Sequence, residues 1–375
     1  MDRKKDILKR LGKLPEDLKQ AYDDIYSSMS SAEKFVADRV FQWVMCACEP
    51  LTTEILLPAI SQDENKNSLE PVEDLEEELV LKYCRNLMVI DPIRKVWLPS
   101  HLSVIEYLEH LWGHPEANYI VFNVCLSVLR ETLFFSRDKT WSSECSLTND
   151  EKLAIGDPLG GQGFDKLSLY ARYRWATHAK NSAGASKIAR VSDRLEEFLG
   201  LPKDSSPAYR CWLQMVYKEV RRMPGDGYHY KYPLRAVHRY LYPYSIAGFA
   251  YAAFNLEALL PNWHGLEWVD ENLKNYMDEN ILDIAVNSES VLICRRLIKR
   301  GLNFNTQTKC KGSALANAAW KGAQEIVKFL VTEGGADVNM QLKHGRFGRY
   351  VYCSQWFCTF AGSRAPITSF LSYES

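Results

Sequence analysis

A mainly α-helical chain, with one small β-hairpin in its first third and a short solenoid of paired helices near its end, is the fold class the sequence predicts. Three observations predict it. Apolar residues recur at helical spacing: Val36, Val40, Trp43, Val44 and Ala47 share one face, as do Ala117, Ile120, Val121, Val124, Cys125, Val128 and Leu129. Between Leu87 and Leu98 that period breaks, and two short apolar runs flank a turn. Near the end, the skeleton Leu282, Ala285, Ile293, Leu297 returns as Leu315, Ala318, Ile326, Leu330, 33 residues later each time.

The elements follow in order. Both apolar stripes predict helices packed on one side against other helices. Pro115 and Glu116 stand where the first turn of the second stripe begins, a place that suits a residue without an N–H and a negative charge. Leu51 to Ile60 reads as a short helical run. Residues 61–80 carry eight acidic residues against one lysine, an exposed loop leading into a helix over Val72 to Arg85. Leu87 to Ile90 and Val96 to Leu98 read as paired strands around the turn Asp91-Pro92-Ile93-Arg94. Ser103 and Glu106 read as a capping box opening the next helix. Three helices, a two-stranded wing and a further helix make a winged-helix arrangement. Residues 136–163 and 203–208 read as loops, with helices at Phe164 to Lys180 and Val191 to Leu199 between them.

Composition narrows the function. A chain of 375 residues exceeds one core and predicts roughly two or three domains. With 46% apolar and 25% charged residues it reads as a folded soluble protein, and a net charge of −1 gives no global pull toward nucleic acid or anionic membrane. Met1 to Arg10 is charged with no apolar run behind it, and the most apolar window, Tyr244 to Pro261, is interrupted by Asn255 and Glu257. A cytoplasmic location is expected. The ten cysteines lack paired knuckle spacing and read as reduced, mostly buried thiols rather than zinc ligands.

The period of 33 is that of ankyrin repeats, in which each unit is two short helices and a turn whose apolar face is covered by stacking. Residues 311–339, KGSALANAAWKGAQEIVKFLVTEGGADVN, resemble an ankyrin repeat: Ala318 and Ala319 where helices approach, Gly322 ending the first helix, Gly335 to Asn339 as the loop. Residues 280–305 keep the skeleton but place Glu289 where Gly322 falls, and 244–261 reads as a more eroded unit. The segments 14–25, 41–60 and 97–110 resemble the winged-helix region behind the ATPase core of fungal NACHT-ankyrin proteins, and YARYRWATHAK at 170–180 resembles the connector before their repeats. The resemblance implies an NLR-like, STAND-type architecture in which the chain begins where the ATPase core ends. No GxxxxGK[ST] phosphate loop is present, and the glycine cluster at 156–166 has neither the spacing nor the hydroxyl of one. No cofactor is expected. The tail from Arg349 departs from the repeat pattern.

The domain organisation expected is a winged-helix-like domain over 1–112, a helical connector over 113–243, ankyrin repeats over 244–340 with a degenerate first unit, and an atypical tail over 341–375. By resemblance, Asn287, Ser288, Lys311, Asn317, Trp320 and Lys321 sit on the partner-binding face of the array.

Other candidate sites weigh less. His110 and His114 stand i, i+4, but Gly113 and Pro115 interrupt their helix and no third ligand is evident. His101 reads as a helix-entrance residue. The third helix of the wing is acidic and would repel DNA phosphates. The segment 209–244 interleaves Arg221, Arg222, Lys231, Arg235 and Arg239 with Tyr217, Tyr228, Tyr230, Tyr232, Tyr240 and Tyr242, a pattern that suits single-stranded nucleic acid or, more often, an amphipathic helical surface. The reading is therefore a non-catalytic interaction module of NACHT-ankyrin signalling whose partners are other proteins, NACHT-containing relatives among them. The alternatives are a nucleic-acid binder using 209–244 and a non-functional gene fragment.

Overall fold

The computed structural model describes residues 16–63, 69, 75–135, 165–222, 241–270, 272–275, 278–305 and 313–337. The loop expected at 136–163, the glycine cluster up to Phe164 and the tail from 338 onward lie outside them. The chain divides into two compact units, one of residues 1–198 and 207–233, the other of residues 199–206 and 234–375.

The first unit opens with α1 (Glu16–Ser27) and α2 (Ser31–Cys46), followed by β1 (Leu51–Thr52), α3 (Thr53–Ile60), α4 (Glu77–Tyr83), β2 (Met88–Ile90), β3 (Val96–Pro99) and α5 (Leu102–Trp112). Ser30 caps α2 by accepting from Glu33 N, while the Glu33 carboxylate accepts from Ser30 N. Val40 and Trp43 are buried as expected, but the covered face is turned toward Ala37 and Phe41, leaving Val36 and Val44 half-buried. The wing is three-stranded rather than two-stranded. Leu51 and Thr52, expected in a helix, pair antiparallel with Trp97 and Val96, giving the order β1-β3-β2. Two residues after Pro50 satisfy their backbone on the wing before α3 begins, which a helix starting at Leu51 would leave unpaired. The hairpin turn is held by Asp91, whose carboxylate accepts from Ile93 N and Arg94 N at 2.8 Å each. The helix expected from Val72 is described from Glu77 and ends at Tyr83, because Arg85 and Asn86 take positive φ of 50° and 65°. Ser103 is not the cap of α5: His101 is, its Nδ1 accepting from Ser103 N at 3.1 Å. Ser103 instead turns inward, sharing a 2.8 Å hydrogen bond with the Tyr22 hydroxyl.

The centre of this unit is α6 (His114–Phe135), with α7 (Asp165–Asn181), α8 (Ile188–Leu199) and α9 (Pro207–Arg222) completing the bundle. The apolar stripe predicts packing on one side of α6. It is buried from Ala117 to Leu129 except at half-buried Ile120, with α2, α7 and α9 against it. A helix covered all round must silence its polar side chains internally. Here Asn118, Asn123 and Ser127 each donate back to the carbonyl four residues earlier, at 2.8, 2.8 and 3.1 Å. Between α7, α8 and α9, the rings of Trp175, Phe198, Tyr209 and Trp212 contact one another with centroids 5.1 to 6.2 Å apart.

Residues 203–208, expected as loop, divide between a hairpin and the start of α9. The hairpin β4 (Gly200–Leu201) and β5 (Asp204–Ser205) belongs to the second unit, where Ser205 N donates to Ser245 O at 2.9 Å and Gly248 N to Pro202 O at 3.0 Å. That unit continues with α10 (Gly248–Ala253), 3-10 turns at Glu257–Leu259 and Pro261–Trp263, then α11 (Ile281–Asn287), α12 (Val291–Lys299), α13 (Ala314–Lys321) and α14 (Gln324–Thr332). The eroded unit expected at 244–261 is thus one helix followed by short turns. The two later units are helix pairs that stack, α11 on α13 and α12 on α14, with α10 against α11.

Candidate interaction surfaces

The stacked pairs are built alike from different residues. Asn280 caps α11, accepting from Leu282 N and Asp283 N, and Ser313, 33 residues on, caps α13 by accepting from Ala316 N. Gly322 leaves α13 in the left-handed region at φ 72°, and Glu289, at the equivalent place after α11, takes φ 54°. The substitution of glycine is therefore absorbed as local backbone strain rather than as a change of path. Across the stack, Arg295 lies over the Phe329 ring at 5.2 Å, and Asp337 N donates to Asn305 Oδ1 at 3.3 Å. Toward the eroded unit, the Arg296 guanidinium donates twice to one oxygen of buried Glu257, at 2.9 and 2.8 Å, and Ser290 Oγ donates to Ala252 O at 3.1 Å. An ion pair thus ties the eroded unit to the regular ones, a feature that period and skeleton do not reveal.

The residues expected on the binding face fall as follows. Asn287 and Ser288 are half-buried at the carboxyl end of α11, and Ser288 Oγ donates to Ile284 O at 2.9 Å. Lys321 is exposed at the equivalent end of α13 and its ammonium donates to Asn287 O, a cation on carbonyls at the negative end of a helix. These three residues form one row along the helix ends. Trp320 lies on α13, its side chain outside the described set, and Lys311 is outside it altogether. Asn317 stands apart: it is 6% exposed and its Nδ2 has no hydrogen-bond partner. Its equivalent 33 residues earlier is fully buried Ile284. Replacing Asn317→Leu removes an unpaired buried donor at a position built for an apolar side chain. It is expected to stabilise the repeat unit by about 1–3 kcal/mol, read as a higher denaturation midpoint; a lower midpoint would show that the amide is satisfied.

On the first unit, the order α2-β1-α3-α4-β2-β3, with β3 central in the sheet, is that of a winged helix. Residues 26–116 match the family model described as the GPI inositol-deacylase winged helix domain. Residues 249–341 match the family model described as ankyrin repeats (3 copies), a span that takes in α10. No curated protein and no solved structure matches the chain. The third helix of the winged helix domain, α4, presents Glu76, Glu77 and Glu78 exposed at its amino end. Those carboxylates suit the helix dipole and repel a phosphate backbone. At the wing tip Pro92, Ile93, Arg94 and Lys95 are exposed.

The basic, tyrosine-rich stretch is described only at its ends. Tyr209 is buried among Phe198 and Trp212, so its ring face serves the core, while Tyr242 and Tyr244 meet edge to face at 5.3 Å in the second unit. His114 Nε2 contacts Glu109 at 2.7 Å on the surface. Among the described residues no group of three or more His, Cys, Asp or Glu is placed to hold a metal ion, and no helix is long and apolar enough to cross a membrane.

A Cys-His-Asn alignment with a half-buried cysteine does occur. Cys48 Sγ lies 3.6 Å from His178 Nε2, and His178 Nδ1 lies 2.8 Å from Asn118 Oδ1. Tyr170 intervenes: its hydroxyl bonds the same Nε2 at 2.8 Å and accepts from Cys48 N at 3.2 Å. Burial, helped by the Arg174 charge, pushes His178 down to about 3, and burial raises the Cys48 thiol. A neutral ring taken up by Tyr170 and a thiol held protonated supply neither a working base nor a nucleophile. The alignment is a packing relay running from Cys48 N through Tyr170 and His178 to Asn118 and on to His114 O. Sequence reasoning missed it; the signal was Asn118 inside an apolar helical stripe.

Proposed function

We propose that the chain is a non-catalytic interaction and regulatory module of NACHT-ankyrin, NLR-like signalling, acting in the cytoplasm and engaging NACHT-containing proteins. The observation that carries this reading is the joining, in one chain, of a winged helix whose third helix is acidic with ankyrin repeats that display a row of polar helix ends. The acidic helix favours protein over DNA as the surface met by the winged helix. The row of Asn287, Ser288 and Lys321 places polar groups and a cation side by side along neighbouring helix ends, which suits recognition of an extended protein surface. The resemblance of the segments 14–25, 41–60, 97–110 and 170–180 to NACHT-ankyrin proteins supplies the pathway.

The test is co-expression of the full chain with a NACHT-domain protein from the same source. The complex is expected to co-purify. Lys321→Glu combined with Ser288→Arg is expected to weaken it at least tenfold, the effect of about 1.4 kcal/mol lost at an interface, while circular dichroism shows the repeats still folded. Failure of every NACHT-domain protein to bind, or binding indifferent to the double variant, overturns the reading. Uncompetitive, salt-steep binding of single-stranded nucleic acid by the chain would favour the segment 209–244 instead.

A further inference from the structure

The tip of the wing is a fixed, exposed knob. Asp91 pins the turn by accepting from Ile93 N and Arg94 N, and those donors hold its carboxyl below the usual range. The backbone closes behind it: Asp91 N donates to Val96 O at 2.9 Å and Lys95 N to Asp91 O at 2.8 Å. On that frame Ile93 is 90% exposed, the most exposed large apolar side chain among the described residues. Pro92, Arg94 and Lys95 are exposed around it. An apolar side chain held out on a turn that is already ordered loses little entropy when it docks.

In the same compact unit, α4 presents the opposite charge. Glu76, Glu77 and Glu78 are exposed at its amino end, and Leu79 beside them is 36% exposed. Glu76 stands at the N-cap, yet its side chain does not cap the helix. Glu77 accepts from Thr53 Oγ, whereas Glu76 and Glu78 have no hydrogen bond or ion pair among the described residues. The same holds for Lys95. Arg94 is attracted to Asp91 of its own turn, whose Oδ1 is already engaged by two N–H groups. Among the described residues no hydrogen bond or ion pair joins the tip to α4 within one copy.

We propose that the wing tip docks on α4 of a second copy of this chain. The two surfaces are complementary: an isoleucine flanked by two cations on the tip, a leucine flanked by three carboxylates on the helix. Each copy carries both. A two-fold axis therefore sets each wing against the other copy's helix, and the contact is made twice. Exposed ion pairs around a few apolar side chains bind weakly and are screened by salt, so the association is reversible and concentration-dependent. The winged helix match covers both elements and assigns a partner to neither. The contact is independent of the ankyrin row and of the NACHT-domain partner.

The test is sedimentation equilibrium of the full chain over a concentration series. In low salt the weight-average mass is expected to rise from one copy toward two. Raising salt from about 50 mM to about 500 mM is expected to weaken the dimer roughly tenfold. Ile93→Ser is expected to weaken it roughly tenfold as well, through the apolar side chain that no longer docks. Two charge reversals carry the decisive arm. Arg94→Glu with Lys95→Glu makes wing and helix both acidic; Glu76→Lys with Glu78→Lys makes both basic. Each variant is expected to be monomeric alone, with the circular dichroism of the parent. Mixed, they are expected to form a one-to-one dimer, because each wing again meets a helix of opposite sign. A parent that stays monomeric in low salt at every concentration overturns the proposal. So does a dimer indifferent to salt and to both reversals, which lies elsewhere on the molecule. Folded reversal variants that fail to pair when mixed overturn it too.

Discussion

Lowering the pH from 6.5 to 4 is expected to remove about 3 kcal/mol of folding stability through His178 alone. The ring is fully buried and its proton affinity is depressed from 6.5 to about 3, first by burial and then by the Arg174 charge. In the unfolded chain the imidazole protonates near its ordinary value. Between the two, the unfolded state binds a proton that the folded state refuses, so the folded state loses ground as pH falls. The stabilisation is complete above about pH 6.5 and declines toward pH 3. The hydrogen bonds explain why the proton is refused: Nδ1–H already donates to Asn118 Oδ1, and Nε2 accepts from the Tyr170 hydroxyl. A proton on Nε2 would set donor against donor at a fully buried ring. His178→Gln retains a donor and an acceptor but cannot titrate. Denaturant unfolding at a series of pH values should show the parent losing stability faster than this variant below pH 6.5. Parallel pH profiles would mean that water reaches the ring.

Truncating Leu297→Ala is expected to destabilise the ankyrin repeats by about 2–5 kcal/mol. Leu297 is fully buried on α12, one turn beyond fully buried Ile293 and Cys294, in the layer where that helix meets α14. Repeats stabilise one another only through neighbouring interfaces, so a cavity in the middle unit weakens both of its junctions. The loss should therefore spread to α11, α13 and α14 while the bundle around α6 keeps its amides protected. Hydrogen exchange resolves the two: protection over residues 281–332 should fall and protection over residues 117–129 should hold. The same variant should lose the NACHT-domain partner if the repeats carry it. Equal loss of protection in both regions would show that the two compact units unfold as one.

Much of the architecture was legible beforehand, because periodicity records which side of an element is covered. The 33-residue return of Leu282 and its companions located both helix pairs, and Asp91 with Pro92 located the wing turn. Pattern failed where a residue's role depends on a neighbour distant in sequence. Leu51 and Thr52 are a strand because Trp97 and Val96 lie beside them. Ser103 resembles a cap by spacing, but Tyr22 draws its hydroxyl inward and leaves His101 to cap.

What the sequence alone determined is the kind of molecule this is: a winged helix with an acidic third helix, a helical bundle and stacked repeats, all written in local spacing of apolar residues and turn formers. What tertiary structure decided is which polar residues are spent inside. Asn118, Tyr119 and Asn123 stand inside an apolar stripe, and His178 and Arg194 among charged neighbours, with nothing in the linear text to say what each meets. Each is buried because a partner helix covers it. The physical reason is that periodicity encodes the free energy of burying apolar faces, which is local and additive. The fate of a buried polar group is set by whichever donor, acceptor or charge another helix places within about 3 Å of it.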